Sequence, residues 1–212
     1  ATGDLPSQEQ WDTSAYLRHV PQLFEALRVR FGQTLHLLHD AHHRLGPNEA
    51  AQLGRALEPY ELFWVEDVTP AENPESWRRV RSQTTTPLAV GEVFNSLFDA
   101  KLLIQEQLID YIRASIVHAG GITHWRRLAE FAAVFQVRTG CHGATDLSPI
   151  TMGCALHAGT WVPNFGIQEH MPHAALVSEV FEVDYRFESG YMYCGQTPGH
   201  GVTVNEQAAL KF

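Results

Sequence analysis

Six short apolar segments, separated by amphipathic helices, recur along this chain and constrain its fold more than any other feature of the sequence. The segments lie at 34–40, 62–66, 87–92, 109–114, 136–140 and 161–169. Helices are predicted at 12–31, from 47 onward, from 73 onward, 96–107, 121–135 and 148–158, and the tail after 169 is predicted to form loops and short strands. Short, nearly continuous apolar strands that alternate with helices are typical of a parallel sheet. The predicted fold class is therefore α/β.

Acidic or polar residues follow nearly every predicted strand, and this placement separates two kinds of α/β fold. A (β/α) barrel carries its chemistry on the C-terminal rim of the strands, so a barrel is favoured over a doubly wound sheet. Six strands are too few to close an eight-stranded barrel. We therefore expect residues 1–212 to form one C-terminal barrel domain, roughly the third to eighth strands with part of a C-terminal tail. The start lacks a methionine and a signal-peptide pattern, as expected for a segment entered in mid-chain.

The composition limits the expected partners and compartment. The net charge is −9, which speaks against nucleic acid or an anionic membrane as a partner. No apolar run in the sequence approaches the roughly 20 residues needed to span a membrane. The 3 cysteines form no Cys-x-x-Cys pair, and an odd, loosely spaced set favours reduced thiols over a disulfide framework. A cytoplasmic protein is predicted.

The first two predicted helices contain sequence signals for where a helix begins, where it ends and which face it buries. Asp12 is suited to cap the first helix and Gly32 to end it. The predicted buried stripe of this helix consists of Val20, Leu23, Phe24, Leu27 and Phe31. Pro21 lies inside the pattern and is expected to kink or split the helix, because proline removes a backbone donor. In the second helix, which opens at Pro47, the predicted inward residues are Ala50, Leu53 and Leu57.

Three acidic residues end successive predicted strands at equal spacing. Asp40 and Glu66 lie 26 residues apart, and so do Glu66 and Glu92. One β/α unit is about that long, so the three carboxylates are expected at the same height on neighbouring strands of the rim. Carboxylates so close together repel unless a cation lies among them, and hard oxygen ligands with room for water and substrate suit Mg²⁺. The spacing therefore predicts a magnesium site.

Simpler roles exist for each of these residues. A carboxylate at a strand end also stabilises the N-terminus of the next helix, but the equal spacing of three favours the metal site. A zinc site built on the histidine cluster fits less well, because His39 and His42 lack a further ligand at helical spacing. Isolated histidines such as His36, His39 and His43 are expected to pack or to face solvent.

Seven segments, in order along nearly the whole chain, match the motifs of one family. They are Asp40–His42, Trp64–Asp67, Gly91–Asn95, Asp110–Arg113, His118–Thr123, His142–Pro149 and Val162–Glu169. Together they resemble the mannonate dehydratase group of the enolase superfamily. The resemblance implies a (β/α)7β barrel, like that of triosephosphate isomerase in outline, preceded by an N-terminal α+β capping domain. This chain is expected to lack the capping domain and the first strands of the barrel.

The resemblance also implies a reaction. This group removes the proton α to the carboxylate of an acid sugar and then eliminates the β-hydroxyl, which converts D-mannonate to 2-keto-3-deoxy-D-gluconate. Mg²⁺ would hold the substrate carboxylate and stabilise the enediolate formed on proton loss. The expected partners are a small acid sugar and further copies of the chain, because relatives form symmetric homo-oligomers.

Individual roles carry over from the family to matching positions. Asp40, Glu66 and Glu92 are implied as metal ligands, and Glu92 also as a substrate contact. His42 is implied as the acid–base histidine that protonates the departing hydroxyl. The other implied substrate-binding residues are Arg113, His142, Asp146 and Glu169. The Tyr–Arg base of the family and its capping domain would precede this chain, so the chain alone is expected to be inactive.

Other functions stay open at this point. D-Gluconate is the neighbouring substrate, and a catalytically weak homologue acting in starvation sensing or regulation would keep the same ligands. A superfamily racemase or lactonising enzyme fits less well, because no Lys-x-Lys motif occurs. Arg113 fits a structural ion pair as well as a substrate contact. Cys141 beside His142 lacks an evident orienting group for a nucleophile.

Overall fold

A computed structural model describes residues 11–212, which group into two compact units, one ending at Pro87 and one beginning at Leu88. The first unit contains α1 (Thr13–Phe31), β1 (Leu38–Asp40), α2 (Pro47–Leu57), a 3-10 helix (Glu58–Tyr60), β2 (Trp64–Glu66) and α3 (Pro74–Arg81). β1 and β2 pair in parallel, with Asp40 opposite Glu66. The predicted alternation of helices with parallel strands is therefore present in this unit.

Helix α1 begins where the sequence predicts. The Asp12 side chain accepts a hydrogen bond from the Ala15 amide at 2.9 Å, which satisfies one of the donors that a helix start leaves without a partner. α1 continues through Pro21 as one helix, so the predicted split does not occur. Proline therefore leaves this helix intact although it removes one backbone donor from its interior.

The buried face of α1 is narrower than predicted. Val20 and Phe24 are each 3% exposed, whereas Leu23 is 43% and Phe31 is 41% exposed. α1 packs along α2 and the 3-10 helix. The outer members of the predicted stripe therefore face solvent in this structure.

Helix α2 confirms its predicted inward face. Ala50, Leu53 and Leu57 are at most 1% exposed. The Glu49 carboxylate accepts a hydrogen bond from the Gly46 amide at 2.8 Å and so holds the first turn. Burial of an aliphatic side chain stabilises by about 1.5–3 kcal/mol, so the apolar pattern decides which face of α2 turns inward.

The second unit continues the alternation. It contains β3 (Leu88–Val90), α4 (Leu97–Gln105), β4 (Tyr111–Ile112), α5 (Ile122–Val134), β5 (Arg138–Cys141), α6 (Pro149–Trp161) and β6 (Phe165–Gln168). β3 pairs with β4, β4 with β5 and β5 with β6, all in parallel. The carboxyl ends of parallel strands lie at the same edge of a sheet, so the loops after these four strands bring their side chains to one edge.

The strands are shorter than predicted, and for β3 this changes the place of a candidate ligand. β3 ends at Val90, so Glu92 lies in the following loop and not on the strand. Gly91 turns the chain there with a φ of 139°, and a Cβ on it would lie 2.9 Å from the Ile112 side chain. Both the positive φ and the lack of room for a Cβ therefore require glycine at this position. Apolar patterning does not report where hydrogen-bonded pairing stops.

The tail contains two short helices in addition to the predicted short strands. It forms α7 (Ala175–Val180), β7 (Phe181–Val183), β8 (Arg186–Glu188), β9 (Tyr191–Tyr193), β10 (Val202–Val204) and α8 (Glu206–Ala209). β7 pairs with β10 and β8 with β9, both antiparallel. None of the helices within residues 11–212 combines the length and the apolar character that a membrane crossing requires.

Candidate functional site

Three carboxylates meet at the ends of β1 and β2. Asp40, Glu66 and Asp67 each offer an oxygen, and these oxygens lie within 4.8 Å of one another. The parallel register sets Asp40 opposite Glu66, in agreement with the equal spacing of the acids along the chain. Asp67 is not among the predicted ligands, although an acid directly after a candidate ligand is a signal that the sequence contains.

Burial and hydrogen bonds distinguish the members of this carboxylate cluster. The Asp40 side chain is 44% exposed, whereas Glu66 is 8% and Asp67 is 0% exposed. The Trp64 indole donates to Glu66 Oε2 at 2.5 Å, and the Ala41 amide donates to the Glu66 carbonyl at 3.0 Å. Close carboxylates repel, and hard oxygen donors on a paired-strand scaffold suit a divalent cation. The residues present therefore fit the implied Mg²⁺.

Two histidines follow β1 in a left-handed backbone conformation. φ is 53° at His42 and 60° at His43, values that are uncommon for residues other than glycine. His42 Nδ1 lies 3.0 Å from Asp40 Oδ2, and the His42 side chain is 55% exposed. His43 Nε2 lies 3.7 Å from Asp67 Oδ2. The loop therefore brings both imidazoles to the carboxylate cluster, and His42 is the more exposed of the two.

His39 packs inside the first unit, as expected for a histidine that is neither a metal ligand nor an acid–base residue. Its Nε2 lies 2.6 Å from the Tyr16 hydroxyl, and its ring meets Phe24 edge-on at 5.5 Å. Burial lowers the pKa of His39. Burial, reinforced by the negative charge of Asp40, raises the pKa of Tyr16 to about 12. At neutral pH the pair is therefore a phenol hydrogen-bonded to a neutral imidazole.

In the second unit, a buried arginine joins two of the predicted substrate-binding residues. Arg113 follows β4 and is 2% exposed. Its guanidinium lies 3.2 Å from Glu92 Oε2 through Nη1, and 2.6 Å from Glu169 Oε2 through Nη2. The Gly143 amide donates to the same Glu169 oxygen at 2.9 Å. Arg113 is thus an ion-pair residue that holds two carboxylates in place.

His142 lies beside this ion-pair network. Its Nε2 is 3.7 Å from Glu92 Oε2, and its buried Nδ1 has no hydrogen-bond partner among the residues that the structure describes. Burial lowers the pKa of His142, although the charge of Glu169 opposes this effect. A neutral imidazole offers one donor and one acceptor. Asp146 is exposed in the loop after β5, and its charge also opposes the lowering of the His142 pKa.

Cys141, the last residue of β5, does not have the properties of a nucleophile. Burial raises the pKa of Cys141 to about 12, so the thiol stays protonated at neutral pH. Reactive cysteines lie in accessible, electropositive surroundings that lower the thiol pKa. Cys141, Cys154 and Cys194 all carry free thiols.

The predicted ligand set is divided between the two units. Asp40 and Glu66 belong to the first unit, in register on paired strands. Glu92 belongs to the second, beside Arg113. That all three bind one ion stays a prediction. His118, a motif residue without a predicted role, also lies in the second unit. Its Nδ1 is 2.9 Å from the Glu92 carbonyl oxygen.

The chain is similar to known proteins along nearly its whole length. A family model described as "Enolase C-terminal domain-like" matches residues 10–208. The chain is 62% identical to a D-mannonate dehydratase of Novosphingobium aromaticivorans and 61% identical to a D-galactonate dehydratase family member of Halomonas elongata, covering 100% of this chain and 53% of each relative. A crystal structure of an enolase from Pantoea ananatis with bound D-gluconate and Mg aligns at a TM-score of 0.92 and 40% identity, covering 98% of this chain and 51% of that chain.

These similarities bear on two predictions. The family match and the structural alignment confirm the enolase-superfamily fold class. The curated relatives confirm the resemblance to the mannonate dehydratase group. The chain spans about half the length of the curated relatives it matches.

Proposed function

The chain belongs to the enolase C-terminal domain-like family, and on this premise we propose that the protein catalyses the Mg²⁺-dependent dehydration of an acid sugar. D-Mannonate is the first candidate substrate, and 2-keto-3-deoxy-D-gluconate is the corresponding product. The reaction removes the proton α to the carboxylate and eliminates the β-hydroxyl. The proposal includes a cytoplasmic location and a homo-oligomeric assembly.

The carboxylate cluster carries this proposal. Oxygens of Asp40, Glu66 and Asp67 within 4.8 Å of one another need a compensating charge, and Asp40 and Glu66 would hold the ion together with Glu92. A bound Mg²⁺ would supply positive charge to the substrate carboxylate and so make the α-proton more acidic. The Trp64 indole keeps Glu66 oriented through its 2.5 Å hydrogen bond.

His42 is the proposed proton donor to the departing hydroxyl. Its Nδ1 lies 3.0 Å from Asp40 Oδ2, and its side chain is 55% exposed. The Asp40 carboxylate orients the ring through Nδ1, and Nε2 is proposed to face the substrate. Histidine is the side chain best suited to proton delivery near neutral pH.

The second unit is proposed to bind the hydroxyl-bearing part of the substrate. Arg113 holds Glu92 and Glu169 through ion pairs of 3.2 and 2.6 Å, so these carboxylates offer fixed acceptors for hydroxyl donors. His142, whose pKa burial lowers, would donate to or accept from a further hydroxyl. Asp146, exposed in the next loop, would provide another contact.

D-Gluconate is the second candidate substrate. The Pantoea ananatis structure that aligns with 98% of this chain contains D-gluconate and Mg. D-Gluconate and D-mannonate differ only in configuration at the carbon α to the carboxylate, which is also the carbon that loses its proton. The same metal ligands therefore serve either sugar, and the difference between them lies in the position of the α-proton base.

To test the proposal, a panel of acid sugars is incubated with the full-length protein and Mg²⁺, and the rate of 2-keto acid formation is measured for each sugar. We expect the fastest turnover on D-mannonate, its loss on chelation with EDTA, and its return with excess Mg²⁺. Faster turnover on D-gluconate would favour the second candidate. No turnover on any sugar, with metal binding retained, would contradict the proposal and favour a regulatory homologue.

A further inference from the structure

The loop after β4 holds a histidine that the proposed function leaves without a role. The His118 amide donates to Ser115 Oγ at 3.0 Å, and the Gly121 amide donates to the Ile116 carbonyl at 2.8 Å. Ser115 is 0% exposed, so the loop is anchored in the interior of the second unit. Backbone and side-chain hydrogen bonds of this kind form a tight turn. His118 is therefore held in one place by its own segment.

His118 contacts both members of a pair that the proposed function uses. Its Nδ1 lies 2.9 Å from the backbone carbonyl oxygen of Glu92. A carbonyl oxygen only accepts, so Nδ1 carries a proton and donates it to this bond. The ring of His118 stacks on that of His142, with centroids 6.4 Å apart and planes inclined at 29°. His142 in turn lies 3.7 Å from the Glu92 carboxylate.

We propose that His118 is a positioning residue that fixes the backbone of Glu92, and with it the Glu92 carboxylate, against His142. This inference rests on the proposed function, in which Glu92 holds both metal and substrate. Glu92 follows Gly91, whose φ of 139° belongs to a region that only glycine adopts freely, so the backbone there lacks the restraint of a side chain. The hydrogen bond from His118 supplies that restraint from across the loop.

The hydrogen bond and the ring stack make different demands on residue 118. The bond needs only an N–H donor at the position of Nδ1, which an asparagine amide provides. The stack needs only a flat ring, which phenylalanine provides. Removal of a residue that orients a metal ligand from behind weakens metal binding or activity roughly 10–100-fold. His118→Phe and His118→Asn therefore separate the proposed positioning role from packing.

Mn²⁺ is a suitable probe, because its binding is measured by electron paramagnetic resonance on the full-length protein without substrate or turnover. We expect His118→Phe to weaken Mn²⁺ binding about tenfold and His118→Asn to bind Mn²⁺ as the unchanged protein does. His118→Ala, which lacks both donor and ring, is expected to follow His118→Phe and replaces it if that variant does not fold. His124→Phe, at an exposed histidine of α5, is the matched control and is expected to leave binding unchanged.

Two results would overturn the proposal: unchanged Mn²⁺ affinity in His118→Phe, or an equal loss in His118→Phe and His118→Asn, because the donor would then not matter. The proposed reaction fails separately, if the unchanged protein binds Mn²⁺ but dehydrates no acid sugar. In that case the Mn²⁺ affinities of the same variants still decide whether His118 positions Glu92.

Discussion

The two units each gather carboxylates but balance their charge with different groups. In the first unit, the Asp40 carboxylate lies 3.0 Å from the imidazole of His42. In the second, Glu92 and Glu169 share the guanidinium of Arg113 at 3.2 and 2.6 Å. An imidazole is a group that can gain or lose a proton in the physiological pH range, whereas a guanidinium is charged at every pH that a folded protein experiences.

This difference suits the second unit to substrate recognition and the first unit to metal binding. The second unit contains a permanent cation that is 2% exposed, so its carboxylates are held in fixed positions suited to recognition. The carboxylate cluster of the first unit contacts titratable bases and includes the exposed Asp40, an arrangement suited to an exchangeable divalent cation. Substitutions in the first unit should therefore affect metal binding. Substitutions in the second should affect stability and substrate binding, and also metal binding where they act on Glu92.

Glu66→Gln is expected to have the largest effect. It removes one negative charge from the carboxylate cluster but keeps an oxygen that accepts from the Trp64 indole. We expect Mg²⁺ binding to be lost and dehydration to fall by about 10³-fold, the loss typical for removal of a main electrostatic group. Isothermal titration and the 2-keto acid assay measure both, and circular dichroism checks that the fold is intact. Glu72→Gln, at an exposed acid of the same unit, is the control; full activity of Glu66→Gln would refute the site.

Arg113→Met tests the second unit. It leaves Glu92 and Glu169 without their shared cation. Loss of one partner of a buried ion pair costs about 3–5 kcal/mol. We expect the lower end of that range, because the two carboxylates are 16% and 28% exposed and gain some hydration.

Urea unfolding of the full-length protein measures this change in the free energy of unfolding. Arg126→Met is the matched control, because Arg126 pairs with Glu130 on the exposed surface of α5 and such pairs contribute about 1 kcal/mol or less. Equal effects of the two substitutions would show that the buried position of Arg113 has no energetic consequence.

His42→Asn separates proton transfer from metal binding within the first unit. We expect dehydration to fall by about 10²-fold, the lower end of what general acid–base catalysis contributes, while Mg²⁺ affinity stays near that of the unchanged protein. Single-turnover assays and titration of the metal give the two numbers. His36→Asn, at an exposed histidine ahead of β1, is expected to change neither. A large loss of metal affinity in His42→Asn would mean that His42 belongs to the metal site itself.

Alkylation of the cysteines gives the smallest expected effect. With a pKa of about 12, only about one Cys141 thiol in 10⁴ is ionised at pH 8, because each pH unit below the pKa lowers the thiolate fraction tenfold. We expect iodoacetamide to modify the partly exposed Cys154 and Cys194 first and to leave Cys141 intact in the folded protein, as mass spectrometry of the digested protein would show. Rapid modification of Cys141 would mean that the interior beside His142 is open to solvent.

Several features of this protein follow from local sequence. Strands and helices alternate as predicted, because apolar periodicity records which face of each element is buried. The start of α1 at Asp12 and the inward face of α2 follow from capping and spacing. The register of Asp40 with Glu66 follows from the equal length of successive β/α units. The family resemblance likewise rests on short motifs that the chain contains in order.

Other features depend on contacts between residues far apart in the chain, and only the tertiary structure decided them. β3, β4 and β6 end one or two residues before the predicted strands do, because strand pairing and not apolar pattern sets the last residue. The ion pair of Arg113 with Glu169 and the hydrogen bond from His118 to the Glu92 carbonyl join segments that no local pattern links. The burial of Asp67 likewise depends on residues outside its own segment. The sequence determined which chemical groups reach the strand ends, and the packing of the loops decided which of them touch, because side-chain contacts depend on distances that spacing along the chain does not specify.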